Sequence, residues 1–219
     1  MRSTPTTTGL DGSATAAGQT HSDAPAWALM MAGATGVASA LYLSFVSPVV
    51  TDDRFSYPLS ESGFTAIQGF FFVHHLLLAW GLYAVWRRGY AGTGGWALTG
   101  GALAVLAMTL LAVQELVAIS AADAAYPSDQ TDVVEGIYGV LSMLNGVALV
   151  VFGIAVLRAG RWLGWRRWVL LGLGIYVFVP LTPAIFGPFV LARLVIGGWM
   201  LLFGVLGWAL LRPAPAGAR

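Results

Sequence analysis

The sequence predicts an all-α fold, a polytopic membrane bundle of six transmembrane helices with both termini in the cytoplasm. Three observations carry that prediction. The chain divides into six apolar runs of about 20 residues, the length needed to cross a hydrocarbon core. Only 10% of its 219 residues are charged, less than half of the roughly 25% that covers a soluble domain. Its arginines also fall on alternate loops, which orients the helices.

Met1 to Pro25 is rich in Ser, Thr, Ala and Gly and has no apolar periodicity, so it reads as a disordered cytoplasmic tail. It lacks the early apolar run of a secretory signal peptide, because the first such run begins at Ala26. The transmembrane domain then occupies 26–212, with spans expected at 26–47, 63–86, 94–119, 135–157, 167–186 and 189–211. The stretch 213–219 is a short cytoplasmic C-terminal tail. Pro180 and Pro183 fall in the last turns of the fifth span and are expected to kink or end it.

Orientation follows from charge. Arg2, Arg87, Arg88, Arg158, Arg161, Arg166, Arg167, Arg212 and Arg219 share one side if the chain starts inside, and only Arg54 lies in the opposite loops. The positive-inside rule therefore places both termini in the cytoplasm. Trp86, Trp96, Trp162, Trp165 and Trp168 cluster beside the inner arginines as an expected interfacial belt. The outer loops carry Asp52, Asp53, Glu61, Asp123, Asp129, Asp132 and Glu135. These acids read either as a cation-attracting vestibule or as charges that merely solvate loops poor in basic residues. Their spacing does not resemble a calcium loop.

A tandem hairpin repeat is suggested between 57–119 and 126–186. Tyr57-Pro58 matches Tyr126-Pro127, Ala84 to Gly89 matches Ala155 to Gly160, and Trp96 matches Trp168, at offsets of 69, 71 and 72 residues. Both copies run in the same direction, unlike the inverted repeats of many transporters. The repeat sets His74 and Asn145 at matching depth, each fifteen residues before its copy's glycine.

Helices in lipid associate through small residues and occasional polar contacts. Ala28, Ala32, Gly36, Ala40 and Ser44 form such a face on the first span. On the third span, Ala97, Gly101, Ala104 and Ala112 share a face with Glu115; on the sixth, Gly197, Gly204 and Gly207 share one with Arg193. At a rise of about 1.5 Å per residue, Glu115 and Arg193 lie roughly 12 and 10 Å above their helix midpoints. An ion pair between them is expected, with a structural clamp, separate snorkelling and a working site as its readings.

Gln68 and His75 share a face of the second span, while His74 points about 100° away. Tyr138, Ser142 and Asn145 make a polar stripe on the fourth. The polar intramembrane candidates are thus Gln68, His74, His75, Glu115, Asn145 and Arg193. A histidine at this depth serves as a proton shuttle, as a binder of a substrate head group, as a metal ligand, or as a neutral hydrogen-bonding group between helices.

Several chemistries find no residues to carry them. The chain has no cysteine and no lysine, which removes thiolate and Schiff-base chemistry. The adjacent histidines diverge on one helix, so neither a metal site nor bis-histidine haem is expected, and no cofactor is. There is no nucleophile turn, HExxH, phosphate loop or nucleic-acid-reading element. The expected partner is the lipid bilayer, with a protein partner or a second copy able to pack on the small-residue faces.

Three functions fit this pattern. A small transporter or permeation protein needs the polar residues to line one cavity. A membrane-embedded enzyme acting on a lipid or isoprenoid needs an apolar cleft that ends on a carboxylate or imidazole. An accessory or scaffolding subunit needs only a tight bundle. Transport ranks first, in the inner membrane of a bacterium, whose high-GC coding is suggested by the exclusive use of arginine.

Overall fold

Long apolar runs leave their backbone donors and acceptors few outside partners, and the helix is the structure that pairs them internally. The computed structural model describes residues 22–212, and within them every long element is helical, with no strand. Six helices are long and apolar enough to cross a membrane. They comprise α1 (Ala24–Phe45), α2 (Glu61–Arg87), α3 (Gly95–Ala118), α4 (Asp129–Ala159), the compound span Gly164–Ile185, and α7 (Phe189–Leu211). The compound span holds α5 (Val169–Tyr176) and α6 (Thr182–Ile185). The tail expected at 1–25 lies almost wholly outside the described residues, as does 213–219.

Local chemistry moves several helix starts earlier than the apolar runs imply, those of α1 and α4 among them. Pro25 enters α1 in its first turn, where a proline has no hydrogen bond to lose. At α4, the Ser128 side chain accepts from the Thr131 amide, and the Thr131 hydroxyl accepts from the Ser128 amide at 2.9 Å. That reciprocal cap starts the helix at Asp129, six residues before the apolar run expected at 135.

The fifth span does not simply end at its prolines. A π-turn at Val177–Leu181 surrounds Pro180, and the Thr182 hydroxyl donates to the Val177 carbonyl at 2.7 Å. The freed backbone is re-satisfied locally, so the helix continues to Ile185.

The helices form a closed ring in which each packs antiparallel on its chain neighbours, and α7 returns to α1. Glycines set the distances. A Cβ on Gly33 of α1 would lie 2.6 Å from the Gly204 amide nitrogen of α7, and one on Gly207 would lie 2.6 Å from the Ala26 carbonyl. The same closeness recurs between Gly100 of α3 and Phe152 of α4, and between Gly153 of α4 and Leu171 of α5. The Trp199 indole donates to the Leu173 carbonyl at 3.0 Å and the Tyr176 hydroxyl to Val195 at 3.0 Å, tying α5 to α7.

One end of the ring carries the acidic loops. They pair through an isolated antiparallel bridge between Arg54 and Ala125, and the Arg54 guanidinium donates to the Asp123 carbonyl at 3.0 Å. Glu61, Asp129 and Asp132 sit in the first turns of α2 and α4, where negative charge is favoured by the helix dipole. Burial and the Glu135 carboxylate hold the Tyr126 hydroxyl above its ordinary pKa. Both Tyr57-Pro58 and Tyr126-Pro127 peptide bonds are cis.

At the opposite, arginine-rich end, α2 is followed by Gly89 and α4 by Gly160, both at positive φ (72° and 63°). The Arg161 guanidinium donates to the Gly89 carbonyl at 2.7 Å. The tryptophan belt needs correcting here. Trp96, Trp165 and Trp168 are exposed, but Trp162 is 1% exposed and stacks on Tyr90 at 4.5 Å. Trp86 is also drawn inward, because Gly101 leaves room for its ring.

Candidate functional site

The polar residues of α2, α3 and α4 converge inside the ring, near its acidic end. Gln68 and His75 are seven residues apart, two turns, so both point from α2 toward α3. Glu115 stands in the last turn of α3 and Tyr138 in the third turn of α4. The Tyr138 hydroxyl donates to Glu115 Oε2 at 2.6 Å and accepts from the Gln68 amide at 3.1 Å. The other carboxylate oxygen, Oε1, lies 3.4 Å from His75 Nδ1. Glu115 is 6% exposed and His75 7%, so this contact is made without bulk water.

Hydrogen-bond partners fix the ring protons. His75 Nδ1 also lies 2.9 Å from the Phe71 carbonyl, which can only accept, so Nδ1 carries the hydrogen. That hydrogen is shared between Phe71 and Glu115. His74 Nε2 lies 2.7 Å from the Ala32 carbonyl of α1 and donates there, leaving its buried Nδ1 without a partner. The neighbouring histidines therefore hold opposite tautomers and face different helices. His74 is a tether to α1, and His75 belongs to the carboxylate.

The expected Glu115–Arg193 ion pair does not form. Tyr138 and His75 already occupy the two carboxylate oxygens. The Arg193 guanidinium instead lies 4.8 Å over the Phe189 ring, one turn back on α7. Asn145 is apart again. It is fully buried, seven residues beyond Tyr138 on α4, and neither its Nδ2 nor its Oδ1 has a partner.

Two residues of this region were not among the sequence candidates. The sequence sets Tyr138 on a polar stripe with Ser142 and Asn145, and the structure brings its hydroxyl to Glu115. Gln114 donates to the Val134 carbonyl at 3.2 Å and locks α3 to α4 beside Glu115. Helical position alone would have set Gln114 on a neighbouring face, and no signal in the sequence names a backbone carbonyl as its partner.

Toward the acidic loops, a small apolar cluster of Ala118, Ala121 and Val134 packs against Phe55, Phe64 and Tyr138. It separates the carboxylate from the loops, and Phe55 contacts the rings of Phe64 and Tyr126 at 5.6 and 6.2 Å. A groove of about 130 Å³ lies elsewhere, between α1 and α7, lined by Val37, Leu41, Leu194, Gly197 and Leu201 among others. None of the residues lining it is polar.

Chemically the site is a carboxyl flanked by an imidazole, a phenol and an amide. These groups can accept, hold and pass a proton. Among the described residues no group of three or more His, Asp or Glu could hold a metal ion. No family model, curated protein or solved structure matches this chain.

Proposed function

We propose that this chain is a small multi-pass membrane transporter or permeation protein in which Glu115 is a proton-carrying site. One observation carries the reading. A carboxyl within a helix suited to span a membrane is contacted by side chains from two other helices, His75 and Tyr138, with no arginine neutralising it directly. Ionisable groups at membrane depth are costly, and chains of Glu and His there are the usual parts of proton relays. A clamp alone would be served better by the apolar, glycine-spaced contacts that hold the rest of the ring.

The arginine distribution supports an orientation with both termini in the cytoplasm, within the inner membrane of a bacterium. In that orientation the carboxyl lies in the outer leaflet, beneath the aromatic cap of Phe55 and Phe64. The substrate path then passes that cap, and Glu115 exchanges its proton when the cap opens.

The test is proton entry into liposomes that contain the purified protein and a trapped pH dye, driven by a potassium diffusion potential. Wild-type protein is expected to acidify the lumen faster than protein-free liposomes, and Glu115→Gln is expected to match the protein-free rate. Flux equal in Glu115→Gln and wild type contradicts the reading.

A further inference from the structure

We propose that the bundle takes an anion, a carboxylate or phosphate group, on the guanidinium of Arg193. The observation is an arginine within a span whose donors are unused. Arg193 is half-buried in the second turn of α7, and its guanidinium makes no hydrogen bond or ion pair with any described residue. Other arginines donate to carbonyls at the ends of the bundle: Arg54 to Asp123, Arg88 to Ser22 and Leu210, Arg161 to Gly89. Those that make only ring contacts, Arg158, Arg167 and Arg212, stand at the arginine-rich end, next to water. Arg193 alone among the described arginines combines depth within a helix with a lack of acceptors.

Its neighbours do not remove that need. Glu115 does not pair with it, since both carboxylate oxygens are committed to Tyr138 and His75. Tyr138 is committed to Glu115 and Gln68. A guanidinium carries five donors and no acceptor, in a planar fork that matches the two oxygens of a carboxylate or phosphate. The Phe189 ring holds that plane from one side, and Phe189 is itself steadied by an edge contact with Tyr57 at 5.2 Å. The edges of the fork are left for a ligand, which must be an acceptor and is most strongly held if anionic.

The anion has two sources with the same chemistry. It is either a small solute, or the head group of an anionic lipid whose chain lies in the apolar groove that begins at Leu194, the next residue.

The experiment is thermal unfolding of the full-length protein in nanodiscs at constant ionic strength set with sodium chloride. The probes are acetate and phosphate in phosphatidylcholine discs, and phosphatidylglycerol added to the discs without those solutes. At least one probe is expected to raise the wild-type midpoint by roughly 2–4 °C or more. Arg193→Gln is expected to lose that shift and Arg54→Gln to keep it. Arg193→Lys retains the charge without the fork and is expected to lose at least half, and it serves if the glutamine variant does not fold.

A shift with acetate or phosphate identifies a free solute, and a shift confined to phosphatidylglycerol identifies the lipid head group. A shift that Arg193→Gln or Arg193→Lys retains in full overturns the proposal, as does the lack of any shift with all three probes. The readout is independent of proton flux. A Glu115-dependent flux without an Arg193-dependent shift sinks the anion site alone. The shift without such a flux sinks the proton-carrier reading and leaves the anion site standing.

Discussion

The α1–α7 seam and the α2–α3–α4 cluster are both interior, yet they are built from opposite materials. The seam is glycine and alanine, with Gly33 against Gly204 and Gly207 against Ala26, and α1 also holds α2 through Leu29 in the space left by Gly81. Nothing in the seam ionises. The cluster, across the ring, places a carboxylate, an imidazole, a phenol and an amide in contact. Close backbone approach suffices for association between apolar helices suited to a membrane, so the seam shows what this bundle needs in order to hold. The cluster exceeds that need, and its desolvated groups cost free energy that the seam does not spend. The difference separates what folds the chain from what it is for.

Breaking the seam should produce the largest stability loss. Gly33→Leu has no space, since even a Cβ falls 2.6 Å from a backbone nitrogen, and it is expected to abolish recovery of monodisperse protein. Gly33→Ala, the milder form, should cost about 1–3 kcal/mol in thermal unfolding. A Gly33→Ala protein as stable as wild type would mean that the seam is looser than described.

Asn145 sharpens the contrast, because it is as buried as the seam and as polar as the cluster. Its amide has no partner on either atom, and an unmade buried hydrogen bond costs about 1–3 kcal/mol. Asn145→Val removes that cost with only a modest increase in volume and should raise the unfolding midpoint. If proton flux falls at the same time, Asn145 is the inward continuation of the Glu115 path. If the midpoint drops, the amide has a partner that holds the bundle, and it belongs with the structural contacts.

Tyr138→Phe deletes one hydroxyl between Gln68 and Glu115 and should cost about 0.5–1.5 kcal/mol, measured by the same unfolding assay. The smallest effect belongs to Gly69→Ala, a glycine of α2 with open space around its Cβ position. Relief of the glycine penalty in a helix predicts a gain of up to about 1 kcal/mol. A loss at Gly69 equal to that at Gly33 would erase the distinction between packed and unpacked glycines.

The seam was far more legible in the sequence than the cluster. A stripe of Ala28, Ala32, Gly36 and Ala40 names a buried face without reference to any partner, and those residues are buried. Membership of the cluster was partly visible too, since Gln68, His75 and Glu115 were all marked by polarity at membrane depth. Their pairing was not. Depth along a helix is one coordinate, and it set Glu115 level with Arg193 without saying that α3 neighbours α2 and α4 while α7 stands across the ring. Helix order around the ring supplies the missing coordinate, and it assigns Glu115 to His75 and Tyr138. Trp162 fails in the same way: its rank beside the inner arginines suggested a lipid interface, but the positive-φ turn at Gly160 directs the chain so that its ring stacks on Tyr90. The long start of α4 escaped because capping by Ser128 and Thr131 acts outside the apolar run.

Glu115 works and does not merely hold. Glu115→Gln is the decisive variant, because a glutamine oxygen can still accept from Tyr138 while the side chain can no longer carry a proton. Proton flux and unfolding midpoint should be measured on the same liposome-ready preparation. The expected result is a midpoint within about 1–2 °C of wild type together with flux at the protein-free rate. Flux preserved, or lost only in step with a collapsed midpoint, would contradict it.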